Sequence, residues 1–151
     1  MSSTDLRTTP RAAFPHFCEI ATRWMDNDIY GHVNNVVYYS YFDTAVNQFL
    51  IERGVLDIHQ GEVVGFVVDS GCSYFSPIAF PDLVHVGIRV AKLGNSSVRY
   101  EIALYRNGEV APAAFGHFVH VYVERASNRS VPIPDKVREV LSELSLASRQ
   151  V

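Results

Sequence analysis

Chemistry-bearing residues concentrate in one run, Arg23-Trp24-Met25-Asp26-Asn27-Asp28-Ile29-Tyr30-Gly31-His32-Val33-Asn34-Asn35. Asp26 and Asp28 stand two apart, so in extended chain their carboxylates point the same way. A carboxylate can attack an electrophilic carbon or take a proton from water. His32 adds a side chain that titrates near neutrality, although a lone histidine is more often a hydrogen-bonded structural group. Gly31 permits a sharp turn, and Asn34 and Asn35 are good N-cap residues for a helix beginning there. The run reads as strand, acidic loop and helix start. That order aims a carboxylate and the unpaired N–H groups of a helix N-terminus into one small volume. On spacing alone the plainer role for Asp28, satisfying N–H groups in the turn, outranks catalysis. Asp26 reads as the residue that holds the loop. Asp26, Asp28 and His32 offer too few hard donors for a metal site, and none is expected.

These residues need elements to position them. Over Asn35 to Arg53, Tyr38, Phe42, Ala45, Val46, Phe49 and Leu50 recur at spacings of three and four, the period of a helix. Gly54 is its natural C-cap. So many large apolar residues predict a helix buried on more than one side. Asp43 on it reads as solvated or paired. Phe17 to Trp24 reads as a first strand. Val63 to Tyr74 reads as a second, bulged at Gly71. Leu83 to Leu93 alternates, with Val84, Val86, Ile88 and Val90 on one face. After the Gly94-Asn95-Ser96 turn, Val98, Tyr100, Ile102 and Leu104 alternate in the same way. Asn107-Gly108 is a hairpin signal, and Ala113 to Glu124 is expected to be the last and longest strand. Val131 to Pro134 is extended. Val137, Val140, Leu141 and Leu144 then mark a short amphipathic helix with Pro134 near its start.

Sequential hairpins predict an antiparallel sheet, and one apolar helix must cover one of its faces. The expected fold is α+β: a curved antiparallel sheet of about five strands wrapped around one long central helix, with a short C-terminal helix. The acidic loop and helix N-terminus then lie at the sheet's edge, where a partner subunit could complete a pocket. Residues 1–13, rich in Ser, Thr and Arg, read as a flexible tail, and residues 14–151 as a single domain.

The composition narrows the function classes. A net charge of −3 gives no overall pull toward nucleic acid or acidic membranes. Cys18 and Cys72 read as reduced and buried rather than as a disulfide framework. No apolar run is long enough to span a bilayer, and the first residues lack a signal-peptide pattern. A cytoplasmic protein is expected. His117 and His120 differ by three on a strand, so they face opposite sides and do not chelate together. His85 reads as a surface histidine.

Trp24 through Asn35, followed by Tyr38 and Tyr41-Phe42-Asp43, closely resembles the signature of the hotdog-fold acyl-CoA thioesterases, the 4-hydroxybenzoyl-CoA thioesterase-like family. Tyr74, Ser76-Pro77, Phe80 and Asp82 resemble that family's second-strand region. Val131-Pro132-Ile133-Pro134 resembles its exit into the C-terminal helix. The resemblance implies an Asp28 catalytic carboxylate and an oxyanion-polarising backbone N–H near Asn35. It implies close substrate approach at Gly31 and positioning roles for His32 and Asn34. It also implies a homodimer or homotetramer with the active site between subunits, and no cofactor. The His32-Val33-Asn34-Asn35 run places the chain nearer the broad acyl-CoA branch than the strict 4-hydroxybenzoyl one.

The expected reaction is hydrolysis of an acyl-CoA thioester to a carboxylic acid and free CoA. Asp28 would serve as general base or nucleophile. Two other readings compete. An enoyl-thioester hydratase on the same fold commonly pairs an Asp with a His five residues on, whereas His32 follows Asp28 by four and Asp26 by six. A non-catalytic acyl-thioester binder would not need Asp28, Gly31 and the cap residues together. Tyr38 and Tyr74 are candidate substrate contacts. Together with Tyr41, Phe42 and Phe75 they could equally be packing. Arg89, Lys92, Arg99, Arg106 and Arg125 could meet CoA phosphates, but scattered strand cations read first as a solvated face.

Overall fold

The computed structural model describes residues 5–56 and 61–145. Five strands and two helices follow in the order β1 (His16–Ala21), α1 (Asn35–Glu52), β2 (Val63–Tyr74), β3 (Leu83–Leu93), β4 (Ser97–Arg106), β5 (Ala114–Glu124) and α2 (Asp135–Ser142). The strands form one antiparallel sheet in the spatial order β1-β3-β4-β5-β2. β3, β4 and β5 pair as sequential hairpins. β1 and β2 take the two edges, and α1 carries the chain between them. This is the hotdog arrangement, a sheet curved around one helix.

The helix is held by its apolar face. Tyr38, Tyr41, Phe42, Ala45, Val46, Phe49 and Leu50 are all buried. They meet Val84, Val86, Ile88 and Val90 of β3, and Val98, Tyr100, Ile102 and Leu104 of β4, in one continuous core. Close approach requires Gly116 on β5: a Cβ there would lie 2.3 Å from the fully buried Phe42 ring. α1 starts at an Asn34 cap whose side chain accepts the Val36 N–H at 3.0 Å. It ends where Gly54 takes a φ of +73°. α2 packs Val137 and Leu141 into the core, and Glu143, the residue that follows α2, pairs with Arg53 at the end of α1.

Four expectations change. β1 stops at Ala21, because Trp24–Asp26 turn into a 3-10 helix closed by the Asp26 N–H on the Arg23 carbonyl at 2.9 Å. The β2 register shifts between Val67 and Asp69, so the irregularity is not at Gly71. Gly71 instead makes room for the His117 ring, which would lie 2.7 Å from a Cβ there. β2 has 12 residues and β5 has 11, so β5 is not the longest strand. The described part of the first thirteen residues is tied down rather than loose. Residues 5–13 form two 3-10 turns. Thr9 accepts the Tyr105 hydroxyl at 2.7 Å, and Arg11 donates to the carbonyls of Asn107 and Glu109 at 2.7 Å each. Phe14 seals this segment onto the sheet's outer face against Tyr105 and Phe115.

Candidate active site

The acidic loop is a small hairpin strapped to the β2–β3 connection. The Asn34 N–H donates to the Asp26 carbonyl and the Asp28 N–H to the His32 carbonyl, each at 2.9 Å. The Val33 N–H reaches the Ile78 carbonyl at 2.7 Å, and Asn27 Oδ1 accepts the Phe80 N–H at 3.1 Å. Trp24 stands edge-on to Phe80, ring centroids 5.9 Å apart. At the tip Gly31 has a φ of +84°, a conformation that favours glycine.

The two aspartates have opposite surroundings. Asp26 is 1% exposed. It accepts the Arg23 backbone N–H at 2.9 Å, the Arg23 guanidinium at 2.9 and 3.1 Å, and the Tyr41 hydroxyl at 2.7 Å. Burial, the strongest single influence, pushes its carboxyl pKa up. The hydrogen bonds from Arg23 and Tyr41 outweigh it, and the group ends below its ordinary value. Burial and the Asp26 charge push the Tyr41 phenol well up, so Tyr41 remains a donor. Asp26 therefore fastens the loop to α1, the role its sequence position suggested.

Asp28 is only partly buried. Its Oδ1 accepts the Tyr30 N–H at 2.8 Å, the turn-holding contact that spacing alone favours. One carboxylate oxygen is thus anchored at the mouth of an open cavity of about 520 Å³. Asp28, Gly31 and Asn27 line that cavity with Trp24, Met25 and Ile29. The apolar residues stand far out of the protein: Trp24 is 77% exposed and Ile29 91%. Their contribution was missed from sequence. The available signal was an apolar residue on each side of the aspartates, where a polar loop would be ordinary.

The other named residues divide. Asn34 is committed to the cap. Its side chain and carbonyl take the N–H groups of Val36 and Val37. Asn35 opens the helix, where an N–H has no intrahelical acceptor. His32 is exposed. Tyr38 is 4% exposed and packs in the core cluster. Its ring meets Tyr74 edge-on at 4.9 Å, and the half-exposed Tyr74 hydroxyl lies 3.5 Å from the Asn35 carbonyl. Both thiols are pushed up to about 11 by burial, which keeps Cys18 and Cys72 protonated and poor nucleophiles.

Three of the candidate cations are paired with carboxylates of this chain, Arg99 the most loosely, 4.0 Å from Glu101. Arg89 pairs with Glu101 at 2.8 Å and Arg106 with Glu109 at 2.8 Å. His85 is not a free surface histidine, since its Nδ1 lies 2.8 Å from Arg11. His117 meets Asp69 at 2.9 Å on the outer face, while His120 turns inward beneath α1.

Residues 22–141 match the family described as the thioesterase-like superfamily. The chain belongs to that superfamily. Among solved structures it is similar to the PA5185 protein of Pseudomonas aeruginosa strain PAO1. That likeness has 59% identity and a TM-score of 0.88, covering 90% of this chain and 95% of that one. It is also similar to a thioesterase from Thermus thermophilus solved with coenzyme A and zinc. Here identity is 36% and the TM-score 0.73, covering 87% of this chain and 95% of that one. The YsmA protein of Bacillus subtilis strain 168 is 23% identical over 131 residues, 87% of this chain and 88% of that protein. The sequence-level family assignment holds at this level. Among the described residues, no helix is long and apolar enough to cross a membrane.

Proposed function

We propose that the protein hydrolyses acyl-CoA thioesters, with Asp28 as the catalytic carboxylate and the Asn35 N–H as oxyanion donor. The observation that carries this reading is the pairing of a partly exposed, one-side-anchored Asp28 with an open, apolar-walled cavity. A thioester suits such a site. Its leaving thiolate has a conjugate acid pKa of ~8.5, so departure needs no strong general acid. The site then has to supply a nucleophile or base and a donor for the developing oxyanion. Such a donor contributes roughly 3–4 kcal/mol. With one oxygen held by the Tyr30 N–H, the other carboxylate oxygen of Asp28 is left to activate water or to attack. Gly31 keeps the approach clear, and His32 and Asn34 hold the loop and the helix start. Tyr74, beside the Asn35 carbonyl, is the better substrate contact of the two tyrosines. The coenzyme A bound to the Thermus protein supports CoA as the carrier.

The proposed working form is a homodimer or homotetramer with the site at the subunit boundary. β2 is an edge strand of 12 residues that presents exposed Phe66, Val67 and Val68. A long apolar edge is a template for pairing, and a second copy of β2 is its natural occupant. A thiol-release assay across short, long and aromatic acyl-CoAs tests the reaction. Turnover of at least one class by wild type, lost in Asp28→Ala, is expected. Absence of release across the panel would instead favour the non-catalytic reading.

A further inference from the structure

Asn107 turns the chain after β4 with a φ of +52°. Glycine, asparagine and aspartate all tolerate that conformation, so the turn itself does not call for an amide. The amide is used elsewhere. Asn107 Oδ1 accepts the Leu83 N–H at 2.9 Å, and Asn107 Nδ2 donates to Asp82 Oδ1 at 3.1 Å. The backbone is engaged as well: the Asn107 N–H donates to the Leu83 carbonyl at 2.8 Å, and the Asn107 carbonyl accepts from Arg11 at 2.7 Å. Three of these four bonds go to the two residues where the β2–β3 connection ends and β3 begins.

Asp82 holds the rest of that connection. Its Oδ2 accepts the Ala79 N–H at 3.0 Å, and its own N–H donates to the Ala79 carbonyl at 2.8 Å. Its carbonyl accepts the Thr22 hydroxyl at 2.6 Å and the Thr22 N–H at 3.2 Å. Residues 79–82 are thus a closed turn, pinned to Asn107 on one side and to the chain after β1 on the other. Arg106, the last residue of β4, adds a donation to the Pro77 carbonyl.

The same connection carries both groups that clasp the acidic loop. The Ile78 carbonyl takes the Val33 N–H, and the Phe80 N–H reaches Asn27 Oδ1. Asn27 and Val33 face each other as an isolated antiparallel bridge, and Asp28 follows Asn27 directly. The place of Asp28 relative to the start of α1 therefore depends on Ile78 and Phe80, and theirs depends on Asp82 and Asn107.

We propose that Asp82 and Asn107 are positioning residues for Asp28, acting through the clasp at Ile78 and Phe80. This inference rests on the thioesterase reading above and adds two residues to the same site. Neither side chain takes part in bond breaking. Their pairing is complementary, a carboxylate oxygen against an amide N–H, so either single exchange sets like groups face to face. Asn107→Asp opposes two carboxylates. Asp82→Asn opposes two amides whose oxygens are already committed to the Ala79 and Leu83 N–H groups. The double exchange repairs the pair: in Asp82→Asn/Asn107→Asp the new amide accepts from Ala79 and donates across, and the new carboxylate keeps the Leu83 N–H.

The test measures thiol release and amide hydrogen exchange on the purified full chain for wild type, both single variants and the double variant, well below their thermal midpoints. In each single variant kcat should fall roughly tenfold to hundredfold, as expected when a reactive group is misplaced from a distance. KM should stay within about threefold. The double variant should recover kcat to within about threefold of wild type. The Val33 and Phe80 amides should exchange about tenfold faster in the single variants and recover in the double one. Asn107→Gly, which takes the same φ freely and deletes the amide, covers the case in which the single variants do not fold, and should move both readouts in the same direction. A purely structural pair would lower the thermal midpoint and leave kcat per folded molecule alone. Folded single variants with kcat within about twofold of wild type, or a double variant that regains its midpoint without regaining kcat, would therefore overturn the proposal. Hydrogen exchange separates its failure from that of the hydrolase reading. A wild type that releases no thiol from any acyl-CoA sinks the hydrolase reading, while unchanged exchange at Val33 and Phe80 sinks the clasp whatever the turnover.

Discussion

Asp26 and Asp28 are two residues apart in one loop, yet their surroundings are opposite. Asp26 is sunk under the loop with Arg23 and Tyr41 around it, and every contact it makes is inside the protein. Asp28 stands at the rim, anchored through one oxygen and facing an open, apolar-walled cavity. The chemistry of the two side chains is the same, so the difference comes from what each is buried against. A carboxylate with its acceptor sites filled is a fastener. A carboxylate with one oxygen held still and the other free fits the part of reagent proposed for Asp28. The fastener matters to the reagent, because Asp26 locks the hairpin that carries Asp28 to the start of α1.

Exchanging the two roles by mutation breaks the comparison most directly. Asp28→Asn keeps an acceptor for the Tyr30 N–H and removes the charge. Thioester turnover should fall on the order of 10²–10⁴-fold with the thermal midpoint nearly unchanged. Asp26→Asn should do the reverse in the first instance and cost stability. It removes a buried charge whose partner Arg23 is 64% exposed and solvent-screened, so the loss should be about 2–3 kcal/mol. That is a drop of roughly 5–10 °C in midpoint by calorimetry. Turnover per folded molecule should survive in part.

A smaller effect is expected from Tyr41→Phe, which deletes one charge-assisted hydrogen bond at 2.7 Å. About 1–2 kcal/mol should be lost. Acid titration sharpens the contrast further. The folded-state pKa of Asp26 is depressed, so its contribution is complete above the unfolded carboxyl value of ~3.9. It fades as pH falls toward the lower folded value. The stability gap between wild type and Asp26→Asn should therefore narrow in acid, as read by denaturant melts. A gap constant with pH would mean that Asp26 is not ionised in the fold. The smallest effect belongs to Gly31→Ala. At φ +84° with open space around it, the substitution should cost about 1 kcal/mol from strain alone and slow turnover modestly.

Local pattern was enough for much of the fold. The three-and-four spacing over Tyr38 to Leu50 located α1, and alternation located β3 to the residue, because both signals are written in neighbouring positions. The departures have a common cause in long-range contacts. Nothing near Thr9 indicates that Tyr105 will hold it, ninety-six positions away. The β2 irregularity follows from register against β5, which a glycine in β2 alone does not reveal. At the site, the acidic pair and helix cap were readable. The sorting of Asp26 from Asp28 by physics needed Tyr41, brought under the loop by one turn of α1 and more. The apolar rim of Trp24 and Ile29 also waited on the structure, since apolar residues in sequence read as core until their exposure is known.

The central claim is that Asp28 supplies reactivity and Asp26 supplies the hold. It is tested by measuring thiol release in parallel with thermal midpoint for wild type, Asp28→Asn and Asp26→Asn on the best acyl-CoA of the panel. The account predicts an inactive but stable Asp28→Asn and a destabilised but partly active Asp26→Asn. Near-wild-type thiol release by a folded Asp28→Asn would contradict it.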